Sequence, residues 1–223
     1  MTEPLAILPF KGFDQAKQRL RDALGVQPRR ALVEAMFADV LIALRRTTAL
    51  GGILVVSADT VAQQIAQGYG AEVIDDDQRG HNQAAARGIA HALESDVERV
   101  LLVPGDCPLL DPVELSELIS APTPARSVTI VPDRHGSGTN ALLIAPPGVF
   151  GPAFGPGSRA RHEQKAQAAG LDVRTVAVPS LALDVDTPED LAEIETALGR
   201  VRGGAAHTRG MILQLARMHT PDS

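Results

Sequence analysis

Tryptophan is missing from this chain of 223 residues, tyrosine and cysteine each occur once, and phenylalanine occurs five times. With aromatics at 3% and a formal net charge of −6, the chain offers neither stacking rings nor a basic surplus for a nucleic-acid backbone. The lone Cys107 excludes an intrachain disulfide framework. Apolar runs are short: Ile53–Val56 and Ala141–Pro147 fall well below the roughly eighteen residues of a membrane span. The opening Met1-Thr2-Glu3-Pro4-Leu5 has neither the basic nor the apolar region of a secretion signal. The expectation is a soluble, cytoplasmic protein with a small-molecule partner, no nucleic acid and no membrane. Lysine is scarce as well: Lys11, Lys17 and Lys165 are all there is, and the first two share a short segment with Arg19 and Arg21.

What is present is globular, with 44% hydrophobic and 22% charged residues. The length suits one large α/β domain. Leu5–Pro9 reads as an apolar strand interrupted by Gly12 and Asp14. Leu32, Met36, Val40, Ala43 and Leu44 recur at helical spacing within Arg29–Arg46. Ile53–Ser57 reads as a strand, followed by a helix over Val61–Gly68 that starts at Asp59 and Thr60. The alternation continues with strand Ala71–Ile74, loop Asp75–Gly80, helix Asn82–Glu94, strand Arg99–Val103 and helix Pro112–Ile119. Ser127–Pro132 and Thr139–Ala145 then suggest an antiparallel pair. Arg159–Ala169 reads as helix, Val173–Val178 as strand, and Thr187–Leu198 as a helix capped by Thr187 with Pro188 in its first turn. Past Gly199 the pattern thins to a tail over 200–223, with a short helix over Met211–Met218 as an option. Such alternation implies a doubly wound sheet with ligands beyond the carboxyl ends of its strands.

Five constellations could carry chemistry. Leu8-Pro9-Phe10-Lys11, with Lys17 and Arg19, could cradle a triphosphate, although single surface cations are more often solvated. Asp106 in Gly105-Asp106-Cys107-Pro108-Leu109 offers a hard oxygen ligand suited to magnesium, and Asp111 fits the competing role of helix cap better. In Asp184-Val185-Asp186-Thr187-Pro188, strand alternation would send both carboxylates to one side, where they repel unless a cation joins them. Gly80-His81-Asn82 opens a helix with backbone N–H groups and an amide that could read a base or ribose. Gly136-Ser137-Gly138-Thr139-Asn140 and Phe154-Gly155-Pro156-Gly157-Ser158 suit close approach by an anion, and turn chemistry explains either equally well. No P-loop is present, no Gly-x-Gly-x-x-Gly follows the first strand, and no zinc-type His or Cys spacing occurs.

In combination these motifs resemble the phosphoenolpyruvate / 2-phospho-L-lactate guanylyltransferase family over roughly residues 4 to 198. The resemblance implies a nucleotide-diphospho-sugar transferase-like, Rossmann-like α/β fold, its mixed, mostly parallel sheet flanked by helices. Residues 1–199 would form the nucleotidyltransferase domain. It also implies coupling of GTP to phosphoenolpyruvate, giving enolpyruvyl-diphospho-guanosine and pyrophosphate for biosynthesis of coenzyme F-420. A downstream enzyme would consume the labile product, and a homodimer is left open. By the same resemblance Lys11, Lys17 and Asp106 are catalytic; Lys11, Lys17, Arg19, Gly80, Asn82 and Gly105 bind nucleotide; Thr139, Gly155 and Ser158 bind the phosphorylated acid; and Asp106, Asp184 and Asp186 hold magnesium. His81 departs from the leucine common at that place in the family. The acceptors 2-phospho-L-lactate and 3-phosphoglycerate are alternatives, with an Ala/Arg-rich, Lys-poor composition of the GC-rich type tipping the choice to phosphoenolpyruvate. A glycosyltransferase Asp-x-Asp motif, a molybdopterin guanylyltransferase and a non-catalytic nucleotide-binding regulatory protein are the competing readings.

Overall fold

A computed structural model describes residues 3–76, 80–201 and 203–219; part of the Asp75–Gly80 loop lies outside the described residues. The chain runs β1 (Leu5–Pro9), α1 (Arg21–Leu24), α2 (Val26–Arg46), β2 (Gly52–Val56), α3 (Thr60–Gly68), β3 (Glu72–Ile74), α4 (His81–Glu94), β4 (Val100–Leu102), α5 (Pro112–Ser120), β5 (Ser127–Pro132), β6 (Thr139–Ala145), α6 (Ser158–Ala168), β7 (Asp172–Thr175), α7 (Pro188–Arg200) and α8 (Ala206–His219).

The seven strands form one sheet in the order β3-β2-β1-β4-β6-β5-β7. β6 runs antiparallel to both β4 and β5, while the other pairings are parallel, so one strand alone is reversed. From β1 the chain builds outward to β2 and β3, then returns to place β4 on the other flank. This reversal opens a crevice at the carboxyl ends of β1 and β4, where α/β sheets take their ligands.

Both faces of the sheet are covered, which explains apolar runs without polar alternation. Ala6, Leu8, Leu101 and Val103 pack on the side of α2 and α5, whereas Ile7, Val100 and Leu102 pack on the side of α4 and α6. A side chain on Gly88 of α4 would stand 2.4 Å from Ile7 Cγ2, so this glycine lets α4 lie close on β1. That contact sets the start of α4, residues 80–82, over the crevice.

Three elements depart from the sequence expectation. The strand expected over Val173–Val178 covers Asp172–Thr175 instead. Its pairing with β5 ends at Ile130–Thr175, and the chain turns through a 3₁₀ segment at Pro179–Leu181, which takes Val178 into the opposite core. The segment Asp184–Asp186 is irregular rather than a strand. Val185 is nonetheless fully buried between its half-buried neighbours, and its N–H donates to the Asp106 carbonyl, so the two carboxylates do share a side. In the tail expected over 200–223, the optional helix over Met211–Met218 is instead α8, which starts at Ala206 and packs along α2, where the Asp39 carboxylate accepts the N–H groups of His207 (3.1 Å) and Thr208 (2.7 Å).

Candidate active site

The loop after β1 rests on three phenylalanines, Phe10, Phe13 and Phe37, whose ring centroids lie 4.5 to 5.7 Å apart. Gly105 completes this packing, since a side chain there would meet Phe37 at 3.2 Å. Two polar groups, buried Arg29 and half-buried Asp59, then fix the loop. Arg29 of α2 donates to the carbonyls of Phe13 (3.2 Å), Asp14 (3.0 Å) and Ala16. Asp59 caps α3 through Oδ1 and accepts the Phe13 N–H on Oδ2 at 2.9 Å. So held, the loop takes Lys17 into the left-handed region at φ 52° and turns its side chain inward.

The Lys17 ammonium lies between Asp106 at the end of β4 and Asp186, contacting Asp106 Oδ2 directly and Asp186 Oδ1 at 2.5 Å. Burial pulls its pKa down, but the two carboxylates outweigh that and raise it above the ordinary lysine value. Asp184 stands beside them, its carboxyl pushed up by burial and by the charge of Asp106. The Asn140 amide opposes that shift by donating to Oδ1 at 3.2 Å. Asp190 orders the end of the segment: its Oδ2 accepts the N–H groups of Asp186 (3.0 Å) and Thr187 (2.8 Å) in the capping box of α7, and Arg134 meets its Oδ1 at 2.5 Å.

These groups floor a cleft of about 440 Å³, the size of an ordinary ligand site. Arg19, His81, Asp106, Thr139, Gly155, Ser158, Asp184 and Asp186 all line it. Lys17 reaches it from beneath through the two aspartates, and exposed Lys11 stands at the end of β1, close enough to His81 to help lower its pKa. Burial is the larger cause of that lowering, so His81 presents a neutral imidazole, edge-on to Phe154 at 5.1 Å.

Two residues expected to touch nucleotide are engaged elsewhere in the structure. The Asn82 amide is taken up by the Phe154 main chain, accepting its N–H at 2.7 Å and donating to its carbonyl at 3.2 Å. Asn82 thereby ties α4 to the loop at 153–157 instead of aiming at the cleft. Gly105 is buried against Phe37, whereas Gly80 stands half-buried just before α4 with open space beside it. Cys107 is a buried thiol whose pKa burial raises.

Several groups that build the site were not picked out from sequence. Arg29 lies within a helical pattern, Asp59 carries the signal of a cap alone, Asn140 ends a small-residue segment without a role of its own, and His162 has no distinguishing spacing. Asp190 has a local cue, standing three residues after the cap Thr187.

The donor set bears on the expected metal. Among the described residues no three His, Cys, Asp or Glu side chains stand close enough to hold an ion by themselves. Asp106 Oδ1, however, is buried without a hydrogen-bond partner beside two further carboxylates. Such a hard oxygen set fits magnesium, which commonly takes one or two carboxylates and completes its shell with phosphate oxygens and water.

Comparison with known proteins gives a consistent result. The sequence model of a family described as "Guanylyl transferase CofC like" matches residues 5–218, a span that includes most of α8. A protein of Conexibacter woesei named phosphoenolpyruvate guanylyltransferase is 52% identical over 214 residues, covering 95% of this chain and 96% of that one. One of Colwellia psychrerythraea named 3-phospho-D-glycerate guanylyltransferase is 34% identical, covering 83% and 88%. Among solved structures, a nucleotidyl transferase from Methanothermobacter aligns with a TM-score of 0.67 at 16% identity, covering 91% of this chain and all of that one, a likeness of fold.

Proposed function

The chain belongs to the CofC-like guanylyl transferase family, and from that membership we propose that it joins the guanylyl group of GTP to phosphoenolpyruvate and releases pyrophosphate. The observation that carries the reading is the Asp106–Lys17–Asp186 cluster, set on the floor of a cleft at the carboxyl ends of β1 and β4. The product, an activated three-carbon acid, suits the biosynthesis of coenzyme F-420, with a following enzyme to consume it.

In this reaction an ionised phosphate oxygen of the acid forms a new bond to the α-phosphorus of GTP. The bond from that phosphorus to the bridging oxygen breaks, and its electron pair leaves with pyrophosphate. No proton need be removed from the attacking oxygen, so the protein's part is orientation and charge neutralisation. Arg19 on the cleft wall and Lys11 at its rim supply cations to the triphosphate. Lys17 keeps Asp106 and Asp186 together and offsets their charge, which would otherwise repel the phosphates. Asp106, Asp184 and Asp186 would hold magnesium, whose chemistry there is to draw charge from the phosphate oxygens. Thr139, Gly155 and Ser158, on the far wall, suit the acid.

The test is pyrophosphate release with GTP and magnesium, adding phosphoenolpyruvate, 2-phospho-L-lactate or 3-phosphoglycerate separately, alongside an enzyme that removes the product. Release dependent on phosphoenolpyruvate supports the reading. Dependence on 3-phosphoglycerate instead would transfer it to the acceptor named for the Colwellia relative. No release with any acid, while GTP still raises the melting temperature, would leave a nucleotide-binding protein without turnover.

A further inference from the structure

His162, on the second turn of α6, is fully buried beneath the cleft and does not line it. Both of its ring nitrogens are engaged. The Ala153 N–H, which can only donate, meets Nε2 at 2.8 Å. Nε2 therefore carries the lone pair, and the ring proton of the neutral form sits on Nδ1. Nδ1 lies 3.0 Å from Thr139 Oγ1, which makes the threonine oxygen the acceptor of that bond. A hydroxyl that accepts from the ring has its own proton free to point elsewhere, and Thr139 lines the cleft between Gly138 and Asn140. Burial, aided by the charges of Arg161 and Lys165, pushes His162 down to about 4, so the ring is neutral at pH 7.

We infer that His162 is a positioning residue: it holds the Thr139 hydroxyl as a hydrogen-bond donor into the cleft, so that this point selects an ionised oxygen of the phosphorylated acid. The inference rests on the functional reading above. The same ring, through Ala153, steadies the loop that carries Gly155, together with Asn82 on Phe154 and Arg161 on the carbonyls of Ala153 and Pro156.

Two measurements test it. The ¹⁵N shifts of the His162 ring should report a protonated Nδ1 and an unprotonated Nε2 throughout pH 6 to 8. In kinetics, His162→Asn places an amide nitrogen near the Nδ1 position and retains a donor to Thr139, whereas His162→Gln reaches the Nε2 position and retains only the contact to Ala153. His162→Asn should keep the KM for the acid within a few-fold. His162→Gln should raise it roughly ten- to hundredfold, the worth of a hydrogen bond to a charged group, with the KM for GTP unchanged in both. In a Thr139→Val background the glutamine change should add nothing further. A proton on Nε2, equal impairment of the two variants, or additive effects in the valine background would each overturn the inference. A wild-type protein that releases no pyrophosphate with any acid would overturn the functional reading and the substrate half of this one together. The ring spectrum would still decide the tautomer.

Discussion

Lys17 and Asp186 stand 169 residues apart in the chain and 2.5 Å apart in the fold. The ammonium that joins them also joins Asp106, so one side chain from the first loop ties together the carboxylates at the end of β4 and before α7.

Replacing that ammonium should therefore do more than remove a substrate contact. Lys17→Met leaves two carboxylates facing each other with their counter-charge gone. We expect a stability loss of about 1–2 kcal/mol, at the low end for a broken ion pair because Asp186 is half exposed. Turnover should fall at least a hundredfold. Calorimetry with and without magnesium checks the first part: a divalent ion at the aspartates should restore part of the lost melting temperature, and an unchanged one would contradict a metal role for them.

Asp106→Asn keeps the shape of the side chain and removes its charge. The circular dichroism spectrum should be that of the unaltered protein while pyrophosphate release drops sharply. Near-normal release from a folded variant would reject Asp106 as a ligand. Lys165→Met is the control: that lysine is exposed, donates to the Gly151 carbonyl at 2.9 Å, and should leave the rate within twofold.

Acid should weaken the fold through His162. Its folded pKa of about 4 lies below the ordinary 6.5, so above pH 6.5 both states are neutral and its contribution is fully present. Between 6.5 and 4 the unfolded chain takes the proton first, and stability falls by up to about 3 kcal/mol. Urea titrations across that range should show a shallower loss in His162→Asn than in the unaltered protein; parallel slopes would exclude the histidine as the cause.

Asp39→Ala removes the carboxylate that accepts the first N–H groups of α8. A cost of about 1–2 kcal/mol is expected, with proteolytic cleavage appearing near 201–205 and the kinetic constants intact. Coupled loss of activity would mean that α8 supports the cleft as well as α2.

The elements were legible because their signals are local. Strands buried on both faces leave apolar runs, and Asp59, Asp111 and Thr187 stand as caps where their spacing puts them. Asp106, Asp184, Asp186, Thr139, Gly155 and Ser158 line one cleft. What stayed hidden depends on the third dimension. Nothing near Arg29 in sequence tells that its guanidinium serves three carbonyls of another segment, nor that the Asn82 amide is used up by Phe154, 72 residues on. The strand expected from sequence runs past Thr175 because Val176 and Val178 are as apolar as strand residues. Their burial comes from the turn at Pro179 and from the opposite core.

The reversed strand β6 has its own consequence. In a wholly parallel sheet every strand would finish at the cleft, and each wall would be made of loops that lead into helices. Here β6 begins there, so Thr139 and Asn140 arrive anchored in a strand just as the chain enters it. The wall on the β1 side and the wall on the β6 side thus draw on separate stretches of chain, coupled where Arg134 and Asn140 reach Asp190 and Asp184. A change elsewhere in 133–140 would reshape the β6 wall first, whereas one at Arg134 would be felt through Asp190 at Asp186, which Lys17 joins, and one at Asn140 would be felt at Asp184 beside it.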